Sequence, residues 1–125
     1  LEAKQRALLC AHYALEKKAF DITILDIREL SSLTDFLVIA SGNSDRQVQA
    51  IAEAVRFGCK NNERFSPLGM EGMKEGRWIL LDYGDVMVHL FQPPVREFYD
   101  LESMWSEAAR IELPSEFLEK KMRLR

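Results

Sequence analysis

Apolar positions recur along this chain in more than one rhythm, and each change of rhythm marks an element. From about Ala3 to Lys18, the residues Ala7, Leu8, Ala11, Ala14 and Leu15 share one stripe at helical spacing, while Lys4, Gln5, Glu16 and Lys17 take the remainder. This predicts a first amphipathic helix. Asp21 to Ile27 sets Ile22, Leu25 and Ile27 among Thr23 and Asp26, and Asp35 to Ser41 is a nearly continuous apolar run. Both read as strands, the second buried on both faces. Between them Ser31 to Thr34 is a polar loop, because short hydroxyl side chains compete for backbone hydrogen bonds. Ser44 then caps a helix whose stripe is Val48, Ile51, Ala52 and Val55. Gly58 is expected to end or weaken that helix, leaving Lys60 to Arg64 as a polar connection, and Leu68 to Gly72 reads as a short edge strand weakened by its two glycines.

The stretch from Gly76 to Glu102 carries the most information. With Gly84 and Asp85 as a two-residue turn, Gly84 supplying a positive φ, Tyr83 opposes Val86 and the two strands sort by parity. One face is Ile79, Leu81, Tyr83, Val86, Val88 and Leu90, an ordinary core; the other is Trp78, Leu80, Asp82, Met87, His89 and Phe91. A ribbon apolar on both sides suits either a buried middle layer or a docking surface. Pro93 and Pro94 stop the second strand and start a helix striped by Val95, Phe98, Tyr99, Leu101, Glu102 and Trp105. The order of elements predicts one α/β layered domain over residues 1–108, a mixed β-sheet with flanking helices. Residues 109–125, where Pro114 interrupts and Lys120, Lys121, Arg123 and Arg125 gather, are expected to form a helical or disordered tail.

Composition narrows the function classes. At 125 residues, 14.5 kDa and 47% hydrophobic, the chain can bury a core without disulfides or metal. A formal charge of −3 and a pI near 5.4 argue against a general basic field for nucleic acid, so no specific nucleic acid is expected as partner. Cys10 and Cys59 form no CxxC and read as reduced thiols, and His12 and His89 offer no metal spacing. No apolar run reaches the ~18 residues of a membrane span, which points to a soluble, cytoplasmic protein. The chain begins at Leu1 rather than Met.

Four places could carry chemistry. The strand-to-helix loop Ser41-Gly42-Asn43-Ser44-Asp45 could receive phosphate at a helix N-terminus, but it lacks the glycine density of a dinucleotide fingerprint and the Gly-Lys-Ser/Thr of a P-loop, so helix capping explains it better. Asp26, Asp35, Asp82 and Asp85 fall near strand ends, as metal-binding carboxylates of nucleotidyl-transfer enzymes do, yet Asp82 and Asp85 flank a turn and diverge. In the bland reading Asp85 is a solvated turn residue and Asp82 a surface carboxylate. His89, opposite Leu80, has only Asp82 as a partner on its face, diagonal or farther, so a packed or partner-facing histidine is the better reading. Trp78 is balanced between core and docking anchor.

Four segments resemble the ribosomal silencing factor RsfS family, also called Iojap. They are Leu25 to Leu30, Thr34 to Gln47, Trp78 to Asp85 and Val95 to Glu102, in the same order over about residues 3 to 106. The resemblance implies an α/β domain similar in topology to nucleotidyltransferases but without their catalytic motif, no enzymatic activity and no cofactor. It further implies binding to the large ribosomal subunit through its protein fourteen, so that the small subunit cannot join and translation falls when nutrients are scarce. On that basis the contact surface is expected on Trp78, Leu80, Asp82, Met87 and His89, flanked by Tyr83, Asp85, Arg96 and Tyr99. A homodimer through the edge near Leu68 to Gly72, or through the apolar ribbon face, is the remaining partner considered. The competing reading is a nucleotide-handling enzyme using the Gly42 to Asp45 loop with Asp26, Asp35 or Asp82.

Overall fold

The structure, a computed structural model, describes residues 1–117. Helix α1 (Ala3–Leu15) is followed by strands β1 (Phe20–Asp26) and β2 (Phe36–Ser41), helix α2 (Asp45–Glu63), strands β3 (Gly69–Glu71), β4 (Trp78–Asp82) and β5 (Val86–Phe91), helix α3 (Pro93–Tyr99) and strand β6 (Ala109–Arg110). The strands form one six-stranded sheet in the order β3-β4-β5-β2-β1-β6. Only β2 and β5 run parallel; the remaining neighbours are antiparallel, so the sheet is mixed, as the order of elements predicted.

Both layers follow from side-chain parity. Every residue of β2 is buried, which fits its central place between β1 and β5. Ile24, Val38, Ile79, Leu81, Val86, Val88 and Leu90 point to the face covered by α1 and α2, where they meet Ala7, Ala11, Ala14, Val48, Ile51, Ala52 and Val55. Ser44 caps α2 by accepting a hydrogen bond from the Gln47 amide at 3.0 Å. The hairpin turn is as expected: the Tyr83 amide donates to the Val86 carbonyl at 2.8 Å, Gly84 has φ +88°, and Asp82 pairs with Met87.

Three expectations about element limits are corrected. Helix α2 does not stop at Gly58 but continues to Glu63, taking in most of the segment expected to be a connection, and ends at Arg64 with φ +65°. Gly58 is instead a packing contact: a Cβ built there would lie 2.4 Å from the Tyr13 ring, so only glycine lets α1 approach this closely. Secondly, α3 ends at Tyr99, because Asp100 takes the left-handed conformation (φ +46°) and the chain continues as a 3-10 turn over Leu101–Trp105. The stripe expected to run unbroken to Trp105 therefore bends, and Phe98 is left 80% exposed. Thirdly, the domain does not end at residue 108. Ala109 and Arg110 pair with Asp26 and Leu25 as the sheet's sixth strand, and Ile111, Leu113 and Phe117 pack against the core, so 109–117 is part of the domain rather than a tail. The basic residues Lys120 to Arg125 lie outside the described residues.

Cys10 and Cys59, on α1 and α2, are fully buried with their sulfurs 3.9 Å apart, near the Tyr83 side chain. Both are free thiols. Burial pushes the Cys10 thiol well above its ordinary pKa, so it packs as a small apolar group.

Candidate functional site

The face of the sheet away from α1 and α2 is covered over only part of its width. Val95, Leu101, Trp105 and Ala108, contributed by α3 and the turn after it, pack on Leu25, Ile27, Leu37, Ile39 and Phe91. That covers β1, β2 and one end of β5. Trp78, Leu80 and Asp82 on β4 and Met87 on β5 are left half-buried. Leu80 belongs to neither apolar cluster, which makes it the apolar strand residue most available to a partner on this face. A shallow hollow of about 230 Å³, lined by Glu71, Gly72, Trp78 and Leu80, runs beside it. A larger cavity of about 540 Å³ lies at the opposite edge of the sheet, between β1 and residues 110–113, away from these groups.

Trp78 joins the open and covered parts of the face. Its indole Nε1 donates to His89 Nδ1 at 3.0 Å, and its ring centroid lies 4.8 Å from that of Phe91 and 4.7 Å from that of Tyr99. Because Nδ1 accepts, the neutral His89 ring carries its proton on Nε2. His89 is only 9% exposed, and burial lowers its pKa to about 4. It therefore supports Trp78 as a neutral ring and offers little surface of its own. Tyr99 is 54% exposed and widens the aromatic surface beyond Trp78. The choice between core and anchor for Trp78 thus has a mixed answer: it is half-buried, packed inward on Phe91 and His89 and outward on Tyr99.

Two of the flanking residues, Tyr83 and Asp85, are turned away from this face, and Arg96 lies on it but beneath α3. Tyr83 is buried on the α1/α2 side, 5.2 Å from the Phe65 ring, and burial raises its hydroxyl pKa. Asp85 reaches toward α1, where it pairs with Arg6 at 3.4 Å, so it is neither a solvated turn residue nor on the open face. Arg96 bonds Ser41, Thr23 and Glu102 within the fold. Parity alone placed Tyr83 with the core; the sequence carried no signal for the partners of Asp85 and Arg96, which come from distant elements. Phe98, expected only as part of the stripe and rim of α3, is 80% exposed beside Tyr99 and belongs with the open aromatic surface.

Two of the carboxylates considered for catalysis, Asp26 and Asp82, have local partners. Asp26 takes a two-point contact from Arg28, at 2.9 and 2.6 Å, and that hydrogen-bonded cation lowers its pKa. Asp82 Oδ1 accepts the Gly84 amide at 2.8 Å and so braces the hairpin turn. In the Gly42 to Asp45 loop, the Gly42 amide donates to the Phe91 carbonyl and the Asn43 amide to the Gln47 side chain. Both amides are thus taken up within the chain. Among the described residues no three His, Cys, Asp or Glu side chains cluster in a way that could hold a metal ion, and no helix is long and apolar enough to cross a membrane.

The family described as "Ribosomal silencing factor during starvation" matches residues 1–124. A protein of Bacillus subtilis named Ribosomal silencing factor RsfS is 42% identical over 98 residues, covering 78% of this chain and 82% of that protein. Protein Iojap, chloroplastic, of Zea mays is 40% identical over 108 residues, covering 86% of this chain and 46% of the longer plant protein. A crystal structure of a Chromobacterium violaceum protein superposes with a TM-score of 0.82 at 37% identity, covering 85% of this chain and 88% of that one. A second, from Bacillus halodurans, gives 0.77 at 34% identity, covering 88% and 99%. The match reaches well past the four motifs, into the segment that sequence reading had set aside as a tail. On the family match and on these identities, the chain belongs to the RsfS, or Iojap, family of ribosomal silencing factors.

Proposed function

We propose that this chain lowers translation under nutrient limitation by docking the open half of its sheet on the large ribosomal subunit, through that subunit's protein fourteen, so that the small subunit cannot join. The single observation that carries the reading is the incomplete cover of the sheet: Trp78, Leu80, Asp82 and Met87 are half-exposed beside a face that is otherwise closed by Leu101 and Trp105. Half-exposed apolar and aromatic residues rimmed by carboxylates are the composition of an interface centre. Leu80 and the outer edge of Trp78 supply the desolvated contact, with Met87 able to adapt to an irregular partner. Asp82 and Glu71 set orientation and on-rate against basic side chains of a ribosomal protein. Tyr99 and Phe98 extend the surface along α3. Blocking by occupancy requires no bond to be made or broken, so the proposed action is non-enzymatic, without cofactor, and takes place in the cytoplasm where ribosomes assemble.

The competing reading is a nucleotide-handling enzyme. It is less well supported because the Gly42 and Asn43 amides and the Asp26 and Asp82 carboxylates are committed to Phe91, Gln47, Arg28 and Gly84. A thermal-shift series with nucleoside triphosphates and Mg²⁺ separates the two. A ligand at a hundred times its Kd adds about 2.7 kcal/mol of stability, whereas the docking reading expects no shift. A saturable shift with any nucleotide would favour the enzyme.

A further inference from the structure

We infer that Arg96 is a positioning residue for the docking face, a clamp that holds α3 against the sheet and thereby keeps Tyr99 against Trp78, rather than a contact to the partner. The inference rests on the docking reading above and concerns how that same site is built.

Helix α3 has little else to hold it. It is seven residues long, contains no buried residue, opens on two prolines and ends at the left-handed Asp100. Val95 gives it one apolar contact with the sheet. Tyr99 adds its ring contact with Trp78, and Arg96 supplies the polar anchorage. Its side chain is only 12% exposed. Nη1 donates to Ser41 Oγ at 2.8 Å on β2, and Nη2 to Thr23 Oγ1 at 3.3 Å on β1. Nε and Nη2 donate to the two oxygens of Glu102, at 3.2 and 2.8 Å, in the turn that follows. A guanidinium has five N–H donors in a planar fork. Four hydrogen bonds to three separate elements of its own chain leave almost nothing to offer a partner.

The consequence reaches the docking face through helix geometry. Residues three apart in a helix are surface neighbours, so fixing Arg96 fixes the rotation of the turn that carries Tyr99. Tyr99 in turn lies 4.7 Å from Trp78, its ring tilted 46° to the indole. Glu102 is half-buried, so removing its cation leaves a carboxylate that will draw water under α3. The helix then lifts and the Trp78–Tyr99 pair separates.

The test measures association and dissociation rates of the purified protein on large ribosomal subunits at several salt concentrations. Arg96→Lys keeps the charge but cannot reproduce the fork, and is expected to raise koff about ten-fold, the effect of a coupling near 1.4 kcal/mol. The on-rate and its salt dependence should stay as in the wild type, because a charge that steers association faces the partner and this one does not. In a Tyr99→Ala background the same substitution should add nothing, since the residue through which it acts is gone. Adding Glu102→Arg to Arg96→Glu should recover binding lost in Arg96→Glu alone. An on-rate that falls and loses salt sensitivity, a full effect persisting without Tyr99, or no recovery in the reversed pair would each overturn the inference. Wild-type protein that fails to bind large subunits at all would sink the docking reading itself, a distinct result from wild-type binding with Arg96→Lys unchanged, which sinks only the clamp.

Discussion

Mild acid should weaken this protein through His89. The folded-state pKa near 4, set by burial, compares with about 6.5 for an exposed histidine. The unfolded chain therefore binds more protons between these two values, and stability falls as pH drops through that window. Above pH 6.5 the contribution is fully present; below 4 both states are protonated and the loss is complete. Integrated from pH 7.5 to 4.5, the loss is roughly 2–3 kcal/mol, a large part of the ~5–15 kcal/mol available to a small domain. Urea unfolding at the two pH values measures it, with His89→Gln as the comparison. Glutamine can still accept the Trp78 indole hydrogen bond but does not titrate, so the variant should lose most of the pH dependence in this window. An NMR titration placing the His89 pKa above 6, or an equal pH dependence in the glutamine variant, would refute the reasoning. Asp26, held low by Arg28, acts in a separate and lower window, with its stabilisation lost as pH falls through its depressed pKa.

Other expected outcomes are simpler. Gly58→Ala should destabilise the protein by about 1–2 kcal/mol in urea unfolding, because the overlap with the Tyr13 ring outweighs the ~1 kcal/mol that alanine gains in a helix; a stabilised variant would show that α1 and α2 can shift apart freely. Ser44→Ala should cost about 1 kcal/mol by removing the α2 cap, with no change in binding to large subunits beyond that stability loss. Leu80→Asp should lower the thermal midpoint by only a few degrees, since Leu80 packs in neither apolar cluster but the new carboxylate would face Glu71 across β3–β4, and a much larger fall in a thermal melt would place it in the core after all.

Alternation was the legible part of this sequence. A period of two admits only one assignment of faces once a turn is fixed, so Gly84 and Asp85 sorted the whole β4–β5 ribbon, and the unbroken apolar run of β2 announced a strand covered on both sides. What propensity got wrong, packing decided. Gly58 weakens a helix in isolation, but here its missing Cβ admits the Tyr13 ring and the helix gains a tertiary contact that outweighs the penalty. Strand β6 is two residues long and has no period to detect, and Asp100 carries the bend of α3 in a backbone angle that no composition signals. At the site, sequence parity found Trp78, Leu80, Asp82 and Met87 on one face, while the partners of Asp85 and Arg96 were beyond its reach because a long or charged side chain goes where a distant partner is. Arg6 on helix α1 is the partner of Asp85, and Ser41 on β2 and Thr23 on β1 are those of Arg96. Half-burial also changes which substitution tests docking. Trp78→Ala would disturb His89, Phe91 and Tyr99 as well as any interface, so Leu80 is the cleaner probe.

The central claim is met most directly by co-sedimentation with isolated large and small ribosomal subunits, wild type against Leu80→Asp. The wild type should pellet with large subunits and not with small ones, and should reduce their joining in a light-scattering assay. Leu80→Asp, folded with a thermal midpoint within a few degrees of the wild type, should lose binding by about thirty-fold or more, the loss expected at an interface centre. Undiminished binding of Leu80→Asp to the large subunit, or wild-type protein that sediments with neither subunit, would contradict the account.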